Sequence, residues 1–156
     1  TVETNKRSII VCKKHDIMVY GSLMFGVPGE KIEDMEKTVE FINFAIKNGA
    51  DRLWSFVATP FPHTQFWEIA KQKGTVSGDM DTSALSHHTD RPLLLDDDID
   101  TKEFFDVYNK GKKKLRIFNY RLILRFVKKH PLEIISMVVK EPDYWIKRMY
   151  RQLYTQ

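Results

Sequence analysis

The sequence predicts an α/β fold, because two apolar segments flank an amphipathic helix early in the chain. The apolar segments are residues 17–25 and 53–58. Apolar residues at helical spacing lie between them: Met35, Val39, Ile42 and Ile46. Asn48-Gly49 is typical of a helix end. The order strand, helix, strand predicts parallel strands joined by a right-handed crossover.

A glycine-rich turn follows the first apolar segment. Residues 17–25 are almost all apolar or small, which predicts a parallel strand covered on both faces. Gly26 and Gly29 permit positive φ or a close backbone approach, and Pro28 stiffens the path between them. Glu30 could accept hydrogen bonds from a ligand, but its acidic neighbours favour a role at the helix start. Open α/β sheets bind ligands at the carboxyl ends of their strands, so this turn is the candidate site.

Two motifs separated by one helix carry a family resemblance. They are Met24-Phe25-Gly26-Val27-Pro28-Gly29-Glu30 and Ala58-Thr59-Pro60-Phe61-Pro62-His63-Thr64-Gln65-Phe66-Trp67. Together they resemble the late part of the radical S-adenosylmethionine barrel, in its cobalamin-binding branch, which includes the magnesium-protoporphyrin monomethyl ester oxidative cyclases. The resemblance covers residues 5–74. It implies the carboxy-terminal part of a partial (β/α) barrel with two parallel strands and crossover helices, followed by an α-helical basic tail.

The resemblance also implies cofactors. Members of that family bind S-adenosylmethionine and a [4Fe-4S] cluster held by a CxxxCxxC loop, and this branch also binds cobalamin. This sequence has one cysteine, Cys12, which we interpret as a packed thiol. We therefore interpret the chain as a carboxy-terminal fragment of an oxidoreductase, an oxidative cyclase or a cobalamin-dependent methyltransferase. We expect the isolated fragment to be inactive, and its reading frame to contain CxxxCxxC upstream.

The matched motifs place a set of residues beside the adenosyl group of S-adenosylmethionine: Met24, Gly26, Val27, Pro28, Gly29, Glu30, Ala58, Thr59, Pro60 and Phe61. The resemblance assigns no catalytic residue and no metal ligand to this chain. Lys31 stands at the usual Ser/Thr capping position, and His63 stands where glycine is common. We interpret His63 as an exposed turn histidine.

The remaining sequence divides into a polar linker, residues 75–100, and a basic helical tail, residues 101–156. His87 and His88, near Asp90, lack the spacing of a zinc site, so a solvated loop is the better interpretation. Asp100 and Glu103 form a capping-box pattern that predicts a helix start. Residues 132–140 and a last segment from residue 141 predict further amphipathic helices.

We rank three interpretations of the basic, amphipathic tail. It packs on its own barrel, lies on an anionic membrane, or binds nucleic acid, which ranks last because no RNA-binding motif accompanies it. The family implies a small-molecule substrate, such as a porphyrin or a lipid-like molecule. A different class remains open, namely a non-catalytic α/β module that docks to a membrane surface or a protein partner through its basic helices.

The composition of the chain indicates its domain size, its net charge and its cellular location. Its 156 residues suffice for one domain with a core, and 25 basic against 21 acidic residues give a net charge of +4. A single cysteine and the lack of a signal or transmembrane run favour a cytoplasmic or peripheral membrane location. An unpaired strand edge in the fragment predicts self-association.

Overall fold

The computed structural model describes residues 1–80, 82, 85, 99–140, 144, 146 and 147. They form a mixed α/β structure with a helical carboxy-terminal part, as predicted. The elements are α1 (Val2–Lys14), β1 (Tyr20–Phe25), α2 (Ile32–Lys47), β2 (Arg52–Val57), α3 (Gln65–Gln72), α4 (Thr101–Lys129) and α5 (Pro131–Lys140). The chain divides into two compact units, Thr1–Leu115 and Arg116–Gln156.

The sheet of the first unit consists of β1 and β2 within the described residues. The two strands are parallel, with Tyr20 opposite Arg52 at one end and Phe25 opposite Val57 at the other. This pairing confirms the predicted strand, helix, strand order. Parallel neighbours need a crossover connection, and α2 supplies it.

The prediction that the first strand is covered on both faces is wrong. Leu23 and Phe25 are 8% and 0% exposed, whereas Tyr20 and Met24 are 60% and 49% exposed. The strand also begins at Tyr20 rather than at residue 17. Successive side chains of a strand point to opposite faces, and the helices that the structure describes cover the face of Phe25 and not the face of Tyr20 and Met24. Buried and exposed positions therefore alternate along β1, although its residues are almost all apolar or small.

The core forms where α2 and the first part of α4 pack on the face of Phe25. The ring of Tyr108 meets the ring of Phe25 edge to face, with 5.4 Å between the centroids. At Gly111, an added Cβ would lie 3.4 Å from side-chain atoms of Phe25, Val39 and Ile42. The first turns of α4 thus belong to the first compact unit, within the stretch that the sequence indicated as tail.

The start of α4 has the predicted cap. Oδ1 of Asp100 accepts hydrogen bonds from the N–H groups of Lys102 at 2.9 Å and Glu103 at 3.0 Å. Farther along, Nζ of Lys110 donates to both carboxylate oxygens of Glu36 in α2, at 2.9 and 2.8 Å. This ion pair is exposed, and such pairs contribute little stability, so the apolar contacts determine how α4 packs.

One carboxylate joins α1 to the sheet. Asp51 accepts a hydrogen bond from the Val19 N–H at 2.7 Å and forms an ion pair with Nζ of Lys13 at 2.9 Å. Partial burial by itself raises the pKa of Asp51, but the Val19 hydrogen bond and the Lys13 charge outweigh it and leave the pKa below its ordinary value. Asp51 therefore links the end of α1 with the entries to both strands.

Several predicted features lie outside the described residues. They include His87, His88, Asp90 and most of the helix predicted after residue 141. Helix α5 agrees with the helix predicted over residues 132–140 and begins at Pro131, a residue favoured at the first helical position. None of the described helices combines the length and apolar character needed to cross a membrane.

Asp51→Asn should lower stability in a pH-dependent way. Because the folded-state pKa of Asp51 is depressed, its stabilisation is present above the unfolded pKa of about 3.9 and is lost as the pH falls through the folded pKa. Urea unfolding between about pH 6 and about pH 3 should show the variant less stable near pH 6, with the difference shrinking in acid. Asp79→Asn, in an exposed turn, is the control for loss of one carboxylate, and a pH-independent difference for Asp51→Asn would contradict the prediction.

Gly111 should tolerate alanine but no larger side chain. A Cβ at this position would reach ordinary contact distance from its three neighbours, and alanine favours a helix over glycine by about 1 kcal/mol. Gly111→Leu would overpack the site and cost about 1–3 kcal/mol. Urea unfolding followed by circular dichroism measures both, with Asn109→Ala and Asn109→Leu as exposed controls on the same helix. Equal stability of the two Gly111 variants would show that the close approach is absent.

Candidate functional site

The two predicted motifs meet at one end of the sheet. The N–H of Ala58, just after β2, donates a hydrogen bond of 2.8 Å to the carbonyl of Phe25, the last residue of β1. The turn of residues 26–30 and the segment of residues 58–61 therefore leave the sheet side by side. Ligand sites in open α/β sheets occur at such carboxyl ends.

Both glycines of the first turn adopt the left-handed conformation, one of the two alternatives that the sequence left open. The φ angles are +75° at Gly26 and +78° at Gly29. A Cβ on Gly26 would also lie 3.0 Å from the ring of Phe104, whereas a Cβ on Gly29 would meet nothing within 4 Å. Gly26 is thus required by both its backbone angle and the packing of α4, and Gly29 by its backbone angle alone.

Glu30 closes its own turn. Its carboxylate accepts hydrogen bonds from the N–H groups of Gly26 and, at 3.4 Å, Val27. The N–H of Glu30 in turn donates to the Val27 carbonyl at 3.0 Å. From the sequence, Glu30 had a ligand contact or a role at the helix start as its alternatives, and this contact within the turn was not among them. The sequence signal for this contact is the position of Glu30 three and four residues after Val27 and Gly26, because an acidic side chain can accept hydrogen bonds from nearby backbone N–H groups.

The environment of Glu30 shifts its ionisation. Burial of the carboxyl group raises its pKa, with a smaller contribution in the same direction from the charge of Asp34. The hydrogen bonds from Gly26 and Val27 act in the opposite direction without reversing the shift. Because the folded-state pKa is raised, ionisation of Glu30 opposes folding. The stability that the protonated Glu30 contributes is present at low pH and is lost as the pH rises through the folded-state pKa.

The second segment is also held by local hydrogen bonds. The Thr59 hydroxyl donates to the Val57 carbonyl at 3.1 Å, and the Phe61 N–H donates to the Thr59 carbonyl at 3.0 Å. His63 has a φ of +66°, the conformation that explains why glycine would suit this position. Thr64 then caps α3 by accepting from the Trp67 N–H at 3.2 Å.

The predicted site residues differ in how a ligand can reach them. Met24 and Phe61 expose 49% and 39% of their surface, whereas Ala58 exposes 1%. Gly26 and Pro60 are also buried, and Gly29 is exposed. The others are half-buried: Val27, Pro28, Glu30 and Thr59.

Val27 packs on a small core formed with α3, made up of Ala58, Trp67, Ala70 and Val76. The side chains of Met24 and Phe61 are therefore the main apolar contacts open to a ligand.

A surface that was not predicted from the sequence lies on the exposed side of the sheet. We call it the aromatic face, and its residues are Tyr20, Met24, Arg52, Trp54 and Phe56. The rings of Tyr20 and Trp54 meet edge to face at 6.2 Å, and the Arg52 guanidinium lies 5.0 Å from the Trp54 ring centroid. Met24 is opposite Phe56 in the strand register. The signal in the sequence was the large side chains at alternate positions of both strands.

The apolar groups exposed at this end of the sheet are the thioether of Met24 and the ring of Phe61. Sulfur and aromatic side chains make favourable contacts with flat rings. The N–H groups of Gly26 and Val27 bind Glu30, so a ligand beside this turn would use carbonyl oxygens as acceptors. Among the described residues, no group of three or more His, Cys, Asp or Glu side chains could hold a metal ion. Cys12, the single cysteine, is half-buried in α1, so this chain cannot supply three cluster thiolates.

Comparison with known proteins adds no relative. No protein-family model, no curated protein and no solved structure matches this chain. The residues and contacts described above therefore carry the functional inference.

Glu30→Ala should destabilise the turn more than Glu30→Gln does. The alanine variant leaves the Gly26 and Val27 N–H groups without their acceptor, at a cost of about 1–2 kcal/mol. Glutamine keeps a carbonyl oxygen that can accept these bonds, so its loss should be less than half as large. Urea unfolding near pH 7 gives the stabilities, and amide NMR shifts of Gly26 report the hydrogen bond. Equal losses for both variants would show that the side-chain oxygen does not hold the turn.

Proposed function

We propose that this chain forms the late part of a radical S-adenosylmethionine barrel and supplies part of the pocket for the adenosyl group. One observation carries the proposal: the glycine turn and the segment of residues 58–61 lie side by side at the carboxyl ends of two parallel strands. The resemblance of these two motifs to that family indicates the ligand. The cluster of the parent enzyme would be held by residues outside this chain.

The two faces of the sheet support the same proposal. In a barrel of parallel strands, helices surround the outside and the opposite faces of the strands line the interior. Here α2 and the first part of α4 cover the face of Phe25, while Tyr20 and Met24 on the aromatic face remain exposed. The aromatic face would then look into the barrel, where neighbouring strands or a bound substrate would cover it.

The residues of this chain would hold and orient the adenosyl group. Met24 and Phe61 would contact the purine ring, and carbonyl oxygens of the first turn would accept hydrogen bonds from its exocyclic amino group. In the intact enzyme, the cluster and S-adenosylmethionine would together supply radical chemistry on the substrate. The proposal assigns this chain positioning and exclusion of water. It covers an oxidative cyclase and a cobalamin-dependent methyltransferase alike, and the chain alone should show no turnover.

Titration of the isolated chain with S-adenosylmethionine, followed by amide NMR, tests the proposal. We expect shifts confined to the amides of Gly26, Gly29, Glu30, Ala58, Thr59 and Phe61, with a weak affinity on the order of millimolar because only part of the pocket is present. Adenosine should give the same pattern, and methionine should leave these amides unchanged. The absence of shifts at this end of the sheet, or an equal response to methionine, would overturn the proposal.

A matched pair of variants sharpens the test. Met24→Asp places a charge on the aromatic face beside the turn, and Met18→Asp places one on an exposed methionine before β1. We expect Met24→Asp to weaken adenosine binding at least about fivefold and Met18→Asp to leave it unchanged. An equal loss in both variants would indicate a general effect of charge rather than contact at the site.

A further inference from the structure

The second compact unit carries an exposed apolar stripe on the last turns of α4. Its residues recur at helical spacing and expose 45%, 51%, 43%, 43% and 37% of their surface: Ile117, Tyr120, Ile123, Leu124 and Val127. With about 3.6 residues per turn, they span roughly a third of the helix circumference. These five side chains therefore form one continuous face, whereas Phe126, which is 53% exposed, lies outside this arc and stacks on His130.

Basic side chains border this stripe. Arg121, Arg125 and Lys128 are exposed and follow the apolar residues around one side of the helix. Arg116, also exposed, lies within the arc of the stripe. The sequence contains no acidic residue from Arg116 to Lys129. The border of the stripe thus carries positive charge that no acidic side chain of the same helical segment offsets.

Helix α5 repeats the exposed apolar pattern. Leu132, Ile135 and Val139 share one face and expose 80%, 58% and 73% of their surface. The acidic residue of this helix, Glu133, approaches Nδ1 of His130 at 3.1 Å. Two successive helices of the second unit therefore present aliphatic side chains to solvent. We call the two stripes, together with Arg121, Arg125 and Lys128, the basic apolar surface.

We propose that the basic apolar surface binds the surface of an anionic lipid bilayer. Helices with this pattern lie in the plane of the interface, where aliphatic side chains enter the boundary between headgroups and acyl chains. Lysine and arginine then contact anionic headgroups, and a tyrosine such as Tyr120 suits the interface. This binding needs no spanning helix, in agreement with the lengths and composition of the described helices.

Charge and apolar exposure together select this partner. Nucleic acid would neutralise the arginine and lysine side chains but would leave Ile123, Leu124 and Leu132 without an apolar environment. A second copy of the same surface would bring like charges together. An anionic bilayer complements both components at once. The inference concerns the second unit and does not depend on the adenosyl pocket of the first.

Cosedimentation of the full chain with lipid vesicles tests the charge component. We expect binding to phosphatidylcholine vesicles that contain phosphatidylglycerol, weaker binding to pure phosphatidylcholine, and a decrease with added salt. The triple variant Arg121→Gln, Arg125→Gln, Lys128→Gln should bind about a hundredfold more weakly, since each basic residue contributes about fivefold. Arg7→Gln, Lys14→Gln, Lys47→Gln has the same net charge and should bind within about threefold of the unmodified chain.

A second pair of variants tests the apolar component. Ile123→Ser with Leu124→Ser should reduce vesicle binding at least about tenfold, whereas Ile10→Ser with Val11→Ser on α1 should leave it unchanged. Circular dichroism checks that all variants keep their helices. The proposal is overturned if the chain prefers duplex DNA to vesicles and the serine variants do not change that binding. It is equally overturned if the unmodified chain forms a dimer that these serines disrupt and does not bind vesicles.

Discussion

The close approach of α4 to the sheet at Gly111 is the contact on which the first unit depends. Two strands alone are marginally stable, so β1 and β2 require a cover on one face. Because Gly111 leaves room for no more than a Cβ, α4 can approach Phe25, Val39 and Ile42 together. The same helix places Phe104 behind Gly26, which couples the core to the geometry of the candidate site.

That coupling determines what the site can offer a ligand. The Phe104 ring packs against Gly26, and the carboxylate of Glu30 accepts hydrogen bonds from the N–H groups of Gly26 and Val27. The turn is therefore held in place before any ligand binds. Positioning a flat ring demands such pre-organisation, because a turn that must first be ordered weakens binding. The turn is thus suited to holding a ligand rather than to proton transfer, although the half-buried Glu30 has a raised pKa.

The two compact units expose different kinds of surface. In the first unit the exposed face is aromatic and contains one arginine, Arg52, which lies over the Trp54 ring. In the second unit the exposed stripes are aliphatic and bordered by several basic residues. A flat ligand or neighbouring strands suit the first surface, and an anionic bilayer suits the second. The net charge of +4 is therefore less informative than the positions of the charges.

The sequence by itself determined the local features: the order of elements, the backbone freedom of the turn at Gly26 and Gly29, and the cap at Asp100. Each depends on residues close together in the chain, so composition and spacing suffice to predict it. Only the tertiary structure decided which face of β1 is buried and that Asp51 joins α1 to the sheet. These features depend on partners far apart in sequence, since an apolar strand does not reveal which of its faces the helices will cover.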